Sequence, residues 1–129
     1  MTKRVVAFSA DLLFTSKIEA TLARAGYDVA VVEDLAALTT SLAAGPTALL
    51  ILDLHAGAAV AQIVGRAGAA PVLAFGRHTE PEVLRAAREA GCAIVVARST
   101  FVEEMAPLAD RLTANRPGES ETRSTGGAE

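Results

Sequence analysis

The chain has no tryptophan, a single tyrosine, a single cysteine and only two lysines among its 129 residues. Each shortage excludes something. The lone Cys92 has no partner for an internal disulfide, and no neighbouring His or Cys stands at metal-ligand spacing. No apolar run approaches the roughly 20 residues that a membrane-spanning helix requires. The opening "MTKRVVAFSADLLF" is interrupted by Ser9 and Asp11, too soon for the apolar core of a secretory leader. Basic residues never cluster, and the formal net charge is −3, so no nucleic-acid partner is expected. With aromatics at 4% and apolar residues at 51%, the core must be built largely from Ala, Val, Leu and Ile. Together these features predict a reduced, cytoplasmic, soluble domain without a membrane segment.

What is present is an alternation. Strand-length apolar runs occur at 4–8, 27–32, 48–53, 71–75 and 93–97, and stretches of helical period lie between them. The first such stretch, 11–26, offers Leu12, Leu13, Ile18, Leu22 and Ala25 for one broad face, with Gly26 as a left-handed stop. Asp34 is placed to cap the second. The third, "LHAGAAVAQIVGRAGA", is interrupted by three glycines. The fourth and fifth open with capping boxes, Thr79-x-x-Glu82 and Thr100-x-x-Glu103, and Pro107 predicts a kink or an early end. Beyond Leu112 the composition turns polar, and 113–129 is expected to be a disordered tail. Five strands alternating with five helices predict an α/β domain over 1–112 with a parallel sheet.

In such folds ligands gather beyond the carboxyl ends of the strands. The residues to read are therefore Ser9-Ala10-Asp11, Glu33-Asp34, Asp53-Leu54-His55, Gly76-Arg77-His78 and Arg98-Ser99. The run "ALLILD" is apolar without interruption until Asp53, as a central strand buried on both faces should be.

These features, with the "AGY" turn at 25–27 and "EPEVLRAAREAGC" before the last strand, make residues 3–112 resemble the receiver domain of bacterial two-component response regulators. The resemblance implies a flavodoxin-like (βα)5 sandwich with sheet order 2-1-3-4-5, the order of chemotaxis receivers. It also implies a phosphoacceptor at Asp53 and a signalling role. A working receiver holds Mg²⁺ on an acidic pair after the first strand. It also has a Ser or Thr beside a small residue after the fourth strand, and a lysine after the fifth. Here those positions carry Ser9 and Ala10, Gly76 and Arg77, and Arg98. The aromatic often found in the fifth strand is Val95, and the proline that usually follows the lysine is Ser99.

The resemblance therefore points to a degenerate pocket. Mg²⁺ requires oxygen ligands, chiefly carboxylates, so no cofactor or metal is expected. Asp11, one position beyond the usual pair, reads as a helix cap, with help to a metal as the alternative. Asp53 is expected to pair with Arg98, whose planar fork suits a carboxylate. The leading expectation is a stand-alone, non-enzymatic pseudo-receiver acting through a protein partner, with the last two helices and last strand as docking face and homodimerisation as one form of it. The alternatives are a single-domain response regulator phosphorylated on Asp53, and a small-anion sensor using Arg77, His78 and Arg98.

Overall fold

The aliphatic runs pair into one sheet, which satisfies their backbone N–H and C=O groups while apolar side chains are buried. The computed structural model describes residues 2–56 and 59–114. Its elements are β1 (Arg4–Phe8), α1 (Leu12–Arg24), β2 (Asp28–Val32), α2 (Leu35–Ala43) and β3 (Leu49–Asp53). They continue with α3 (Val60–Ala67), β4 (Val72–Gly76), α4 (Pro81–Glu89), β5 (Ile94–Ala97) and α5 (Arg98–Ala114). The sheet order is β2-β1-β3-β4-β5, parallel throughout, which is the predicted flavodoxin-like arrangement.

Side-chain alternation along the strands divides the core into two layers. Val5, Ala7, Leu49, Ile51, Leu73 and Phe75 meet Phe14, Ile18 and Leu22 of α1 and Phe101, Met105 and Leu108 of α5. On the opposite face Val6, Phe8, Leu50, Leu52, Val72 and Ala74 meet Leu38 of α2, Ile63 of α3 and Leu84 and Ala87 of α4. Strands β3 and β4 are buried at every residue, whereas β2 lies at the edge and is only partly covered. The turn into β2 uses Gly26 at φ 97°, the left-handed stop predicted for it.

Several local expectations are corrected. Leu12 and Leu13 do not join the buried face of α1; they are 68% and 86% exposed. Asp11 caps the helix by accepting from the Phe14 N–H at 3.1 Å, and this start rotates Phe14, Ile18 and Leu22 toward the sheet. Neither capping box forms. Pro81 suits the first helical position, so α4 starts after Glu80 and leaves Thr79 outside it. Helix α5 follows β5 directly at Arg98, which places Thr100 inside it.

The break in α5 falls at Glu104 (φ −120°, ψ 24°), ahead of Pro107. Proline has no N–H for the Glu103 carbonyl and its ring crowds that turn. Helix α3 begins late, at Val60, because Asp53 draws the chain after β3 into a turn, with its carbonyl accepting from the Ala56 N–H. Finally α5 runs past Leu112. Thr113 is buried and lies 3.2 Å from the Tyr27 hydroxyl, so the ordered domain includes at least residue 114. The remainder of the predicted tail, 115–129, lies outside the described residues.

Candidate functional site at the carboxyl edge of the sheet

The register of the central strands decides which residues meet. Phe8 pairs with Leu52, so the next residues, Ser9 and Asp53, stand side by side at the carboxyl edge. Both are buried, at 1% and 6% exposure. Ser9 Oγ–H donates to Asp53 Oδ2 at 2.8 Å, and the His55 N–H donates to Oδ1 at 2.9 Å. Ser9 Oγ in turn accepts from the Asp11 N–H at 3.3 Å. Each carboxylate oxygen of Asp53 thus has a neutral donor. Among the described residues no cation pairs with it.

The expected Asp53–Arg98 pair is therefore not formed. Arg98 Nη2 lies 3.2 Å from Asp11 Oδ2, and its guanidinium carbon sits 4.2 Å from the centroid of the Phe14 ring. Helices α1 and α5 cover the same sheet face, so the first turn of α1 offers Arg98 both a carboxylate and an aromatic face. The Phe14 N–H, followed by Arg98, holds the Asp11 carboxyl below its ordinary value. Beneath this contact Phe14, Phe75 and Phe101 form a cluster, with centroids 4.9 Å apart for Phe14–Phe75 and 4.5 Å for Phe75–Phe101. Three of the four phenylalanines thus gather under the site.

Gly76 is enclosed. A Cβ at this position would stand 3.1 Å from Leu84 Cδ2 and 3.2 Å from Leu54 Cδ1. The volume that a Ser or Thr side chain would occupy is already bounded by two leucines. Arg77 is exposed, and its N–H donates to His55 Nε2 at 3.3 Å. Its guanidinium lies 3.5 Å from Glu80 Oε2, and Glu80 Oε1 is 3.8 Å from His55 Nε2. The Arg77 N–H bond to His55 therefore ties the turn after β3 to the loop after β4. His78 is exposed. It lines a cleft of about 420 Å³ with Arg77, Thr79, Arg98, Ser99 and Val102. Val95 is buried on the α4 side of the sheet.

A divalent cation does not fit this edge. Ala10 has no side-chain ligand atom, and the Ser9 hydroxyl is engaged with Asp53. Asp11 turns both oxygens away, Oδ1 to the Phe14 N–H and Oδ2 to Arg98. That leaves one carboxylate, Asp53, where a hard cation needs several oxygens. Among the described residues no group of three or more His, Cys, Asp and Glu side chains could hold a metal ion.

The edge residues are legible in the sequence, but their partners are not. Not legible there are the Ser9–Asp53 hydrogen bond, the Phe14 platform under Arg98, the leucines closing over Gly76 and the link from Arg77 to His55. The first was accessible in principle, since Ser9 and Asp53 follow adjacent strands at the same height. The others depend on how the helices seat.

The fold is similar to that of several solved structures. The receiver domain of NtrX from Brucella abortus matches with a TM-score of 0.76 at 13% identity, over 84% of this chain and 97% of that one. The chemotaxis response regulator CheY4 of Vibrio cholerae matches at 0.74 and 17%, over 87% and 99%. The chain has the receiver fold. A response regulator from Burkholderia pseudomallei, holding a phosphorylated aspartic acid, a calcium ion and citrate, matches at 0.70 and 19%, over 95% of this chain and 72% of that one. No family model and no curated protein sequence matches. Among the described residues no helix is long and apolar enough to cross a membrane.

Proposed function

We propose that this receiver-fold domain is a signalling module of the two-component kind that works without phosphoryl transfer to Asp53, as a non-enzymatic docking partner for another protein. The observation that carries this reading is the Ser9–Asp53 hydrogen bond together with the turning of Arg98 to Asp11. Phosphoryl transfer needs positioning and cationic neutralisation of the charge that develops on the transferred group. Here the carboxylate oxygens carry a hydroxyl and an amide donor, the acidic metal ligands are missing, and the strand-end cation is turned toward Asp11 rather than Asp53. Gly76 supplies no hydroxyl to respond to a phosphoryl group, and Leu54 and Leu84 close over it.

The output surface proposed is α4, β5 and α5. Glu82, Arg85 and Glu89 are exposed on α4. Arg88 reaches the Val95 carbonyl at 3.3 Å, which covers part of the open edge of β5. Such a mixed-charge face selects a partner by complementary charge more than by buried apolar area.

The test is the intact mass of the protein after incubation with acetyl phosphate and Mg²⁺, beside Asp53→Asn and a standard receiver as positive control. The expected result is no adduct on this chain while the control is labelled. A phosphoryl adduct that disappears in Asp53→Asn would overturn the reading and establish Asp53 as a phosphoacceptor.

A further inference from the structure

We propose that the cleft between the loop after β4 and the start of α5 binds a small organic anion, a phosphate monoester or carboxylate with a compact apolar body. Its role as the signal rests on the phosphorylation-independent reading above; its chemistry does not. The lining is Arg77, His78, Thr79, Arg98, Ser99 and Val102. The residues that border it carry two guanidinium groups, an imidazole and two hydroxyls, and none of them carries a carboxylate. The volume of about 420 Å³ lies within the range of small-ligand sites, about 300–1,000 Å³.

Both arginines have carboxylate neighbours, yet neither is used up. Arg77 engages Glu80 through Nη1 only, and Arg98 engages Asp11 through Nη2 only. A guanidinium offers five N–H donors, so most of each fork remains for a second acceptor. The two pairs are exposed, and such pairs hold their partners weakly. Glu80 and Asp11 therefore orient the arginines from outside the cleft without filling it. Helix α5 begins at Arg98, so the positive end of its dipole opens on the same space. Most of the exposed wall is carbon, with Val102 contributing one side chain. A purely inorganic anion would leave that wall in water, whereas an apolar body beside the charge would cover it.

The site also stands where a signal could be read. Arg98 touches the first turn of α1, and Arg77 joins His55 and Glu80. An anion drawn between the two guanidiniums would pull on both contacts at once.

The experiment is a titration of the ¹⁵N-labelled full chain, read from backbone amide shifts, with four probes: phenyl phosphate, benzoate, inorganic phosphate and neutral benzyl alcohol. The expected result is saturable binding of phenyl phosphate or benzoate, with shifts centred on 77–79 and 98–102. Arg77→Ala and Arg98→Gln should each weaken it by about tenfold, equivalent to about 1.4 kcal/mol, and Arg66→Ala on α3 should not. Comparing phenyl phosphate with benzoate assigns the head group. The proposal is overturned if neither probe saturates, if both arginine variants bind as tightly as the unmodified chain, or if benzyl alcohol binds equally well. Because Arg77 is on an exposed loop, its variant remains informative if Arg98→Gln disturbs α1. A phosphoryl adduct on Asp53 would remove the signalling role and leave the cleft's binding intact; absent shifts would do the reverse.

Discussion

Replacing Ser9 is the most direct probe of how the Asp53 carboxylate is held. Ser9→Ala removes the hydroxyl 2.8 Å from Oδ2 and leaves that oxygen buried without its donor. Leaving a buried acceptor unsatisfied costs about 1–3 kcal/mol, with charged groups at the upper end. Ser9→Asp should cost more, because it sets a second carboxylate against the first. Two like charges about 4 Å apart repel by about 4 kcal/mol at an effective dielectric near 20. Protonating the introduced carboxyl at pH 7 costs about the same, roughly 3 pH units at 1.36 kcal/mol each, which caps the penalty.

The assay is urea unfolding followed by far-UV circular dichroism. With a urea dependence of about 1–3 kcal/mol per molar, the alanine variant should lose about 1 M in midpoint and the aspartate variant about twice that. The second arm adds Mg²⁺. The unmodified protein should show the same midpoint with and without the cation. Ser9→Asp should recover part of its loss, because a divalent ion between two carboxylates binds only the folded state. An alanine variant within about 0.5 kcal/mol of the parent would refute the buried-donor argument, since that is the scatter of ordinary surface substitutions.

Three further outcomes follow from single contacts. Burial, followed by the hydrogen bond to Asp110, raises the Tyr27 phenol above its ordinary value of 10.0, so its stabilising effect is complete below pH 10 and drains away as pH rises through the folded value. Tyr27→Phe should cost about 1–2 kcal/mol at neutral pH through the lost bonds to Asp110 and Thr113, and should lose less stability than the parent above pH 10 in alkaline melts. Gly91→Ala should destabilise by about 1–2 kcal/mol in denaturant titrations, because φ is +111° and the added Cβ would lie 3.2 Å from Val64 Cγ1. Gly76→Thr, which restores the hydroxyl typical of a receiver, should cost about 1–3 kcal/mol and still yield no phosphoryl adduct, because Leu84 and Leu54 must move before the side chain fits.

The contrast between Asp53 and Arg98 shows how much of this site could be read in advance. Asp53 is identifiable because the apolar run 48–52 ends on a carboxylate, which falls at the carboxyl edge of a central strand. The partner of Arg98 was not identifiable. At the end of β5 its side chain could turn over the sheet edge or toward the helices, and the choice depends on whether an aromatic ring lies within reach. The same holds for Leu12 and Leu13. Their spacing suits the buried face of α1, but the Asp11 cap sets the rotation of the helix and leaves them outside.

What the amino-acid order determined by itself was the architecture: the strand runs, the alternation, the left-handed turn at Gly26, the burial of β3 and the placing of polar residues at one edge. These follow from local quantities, namely hydrophobic periodicity and backbone freedom, which act within a few residues. Only the tertiary structure decided that Ser9 occupies Asp53, that Arg98 rests on Phe14 beside Asp11, that leucines close over Gly76, and that Arg77 and Arg98 border one cleft. Each of those outcomes is a competition between partners distant in sequence. It is settled by which side chains reach the same few cubic ångströms when the helices seat on the sheet.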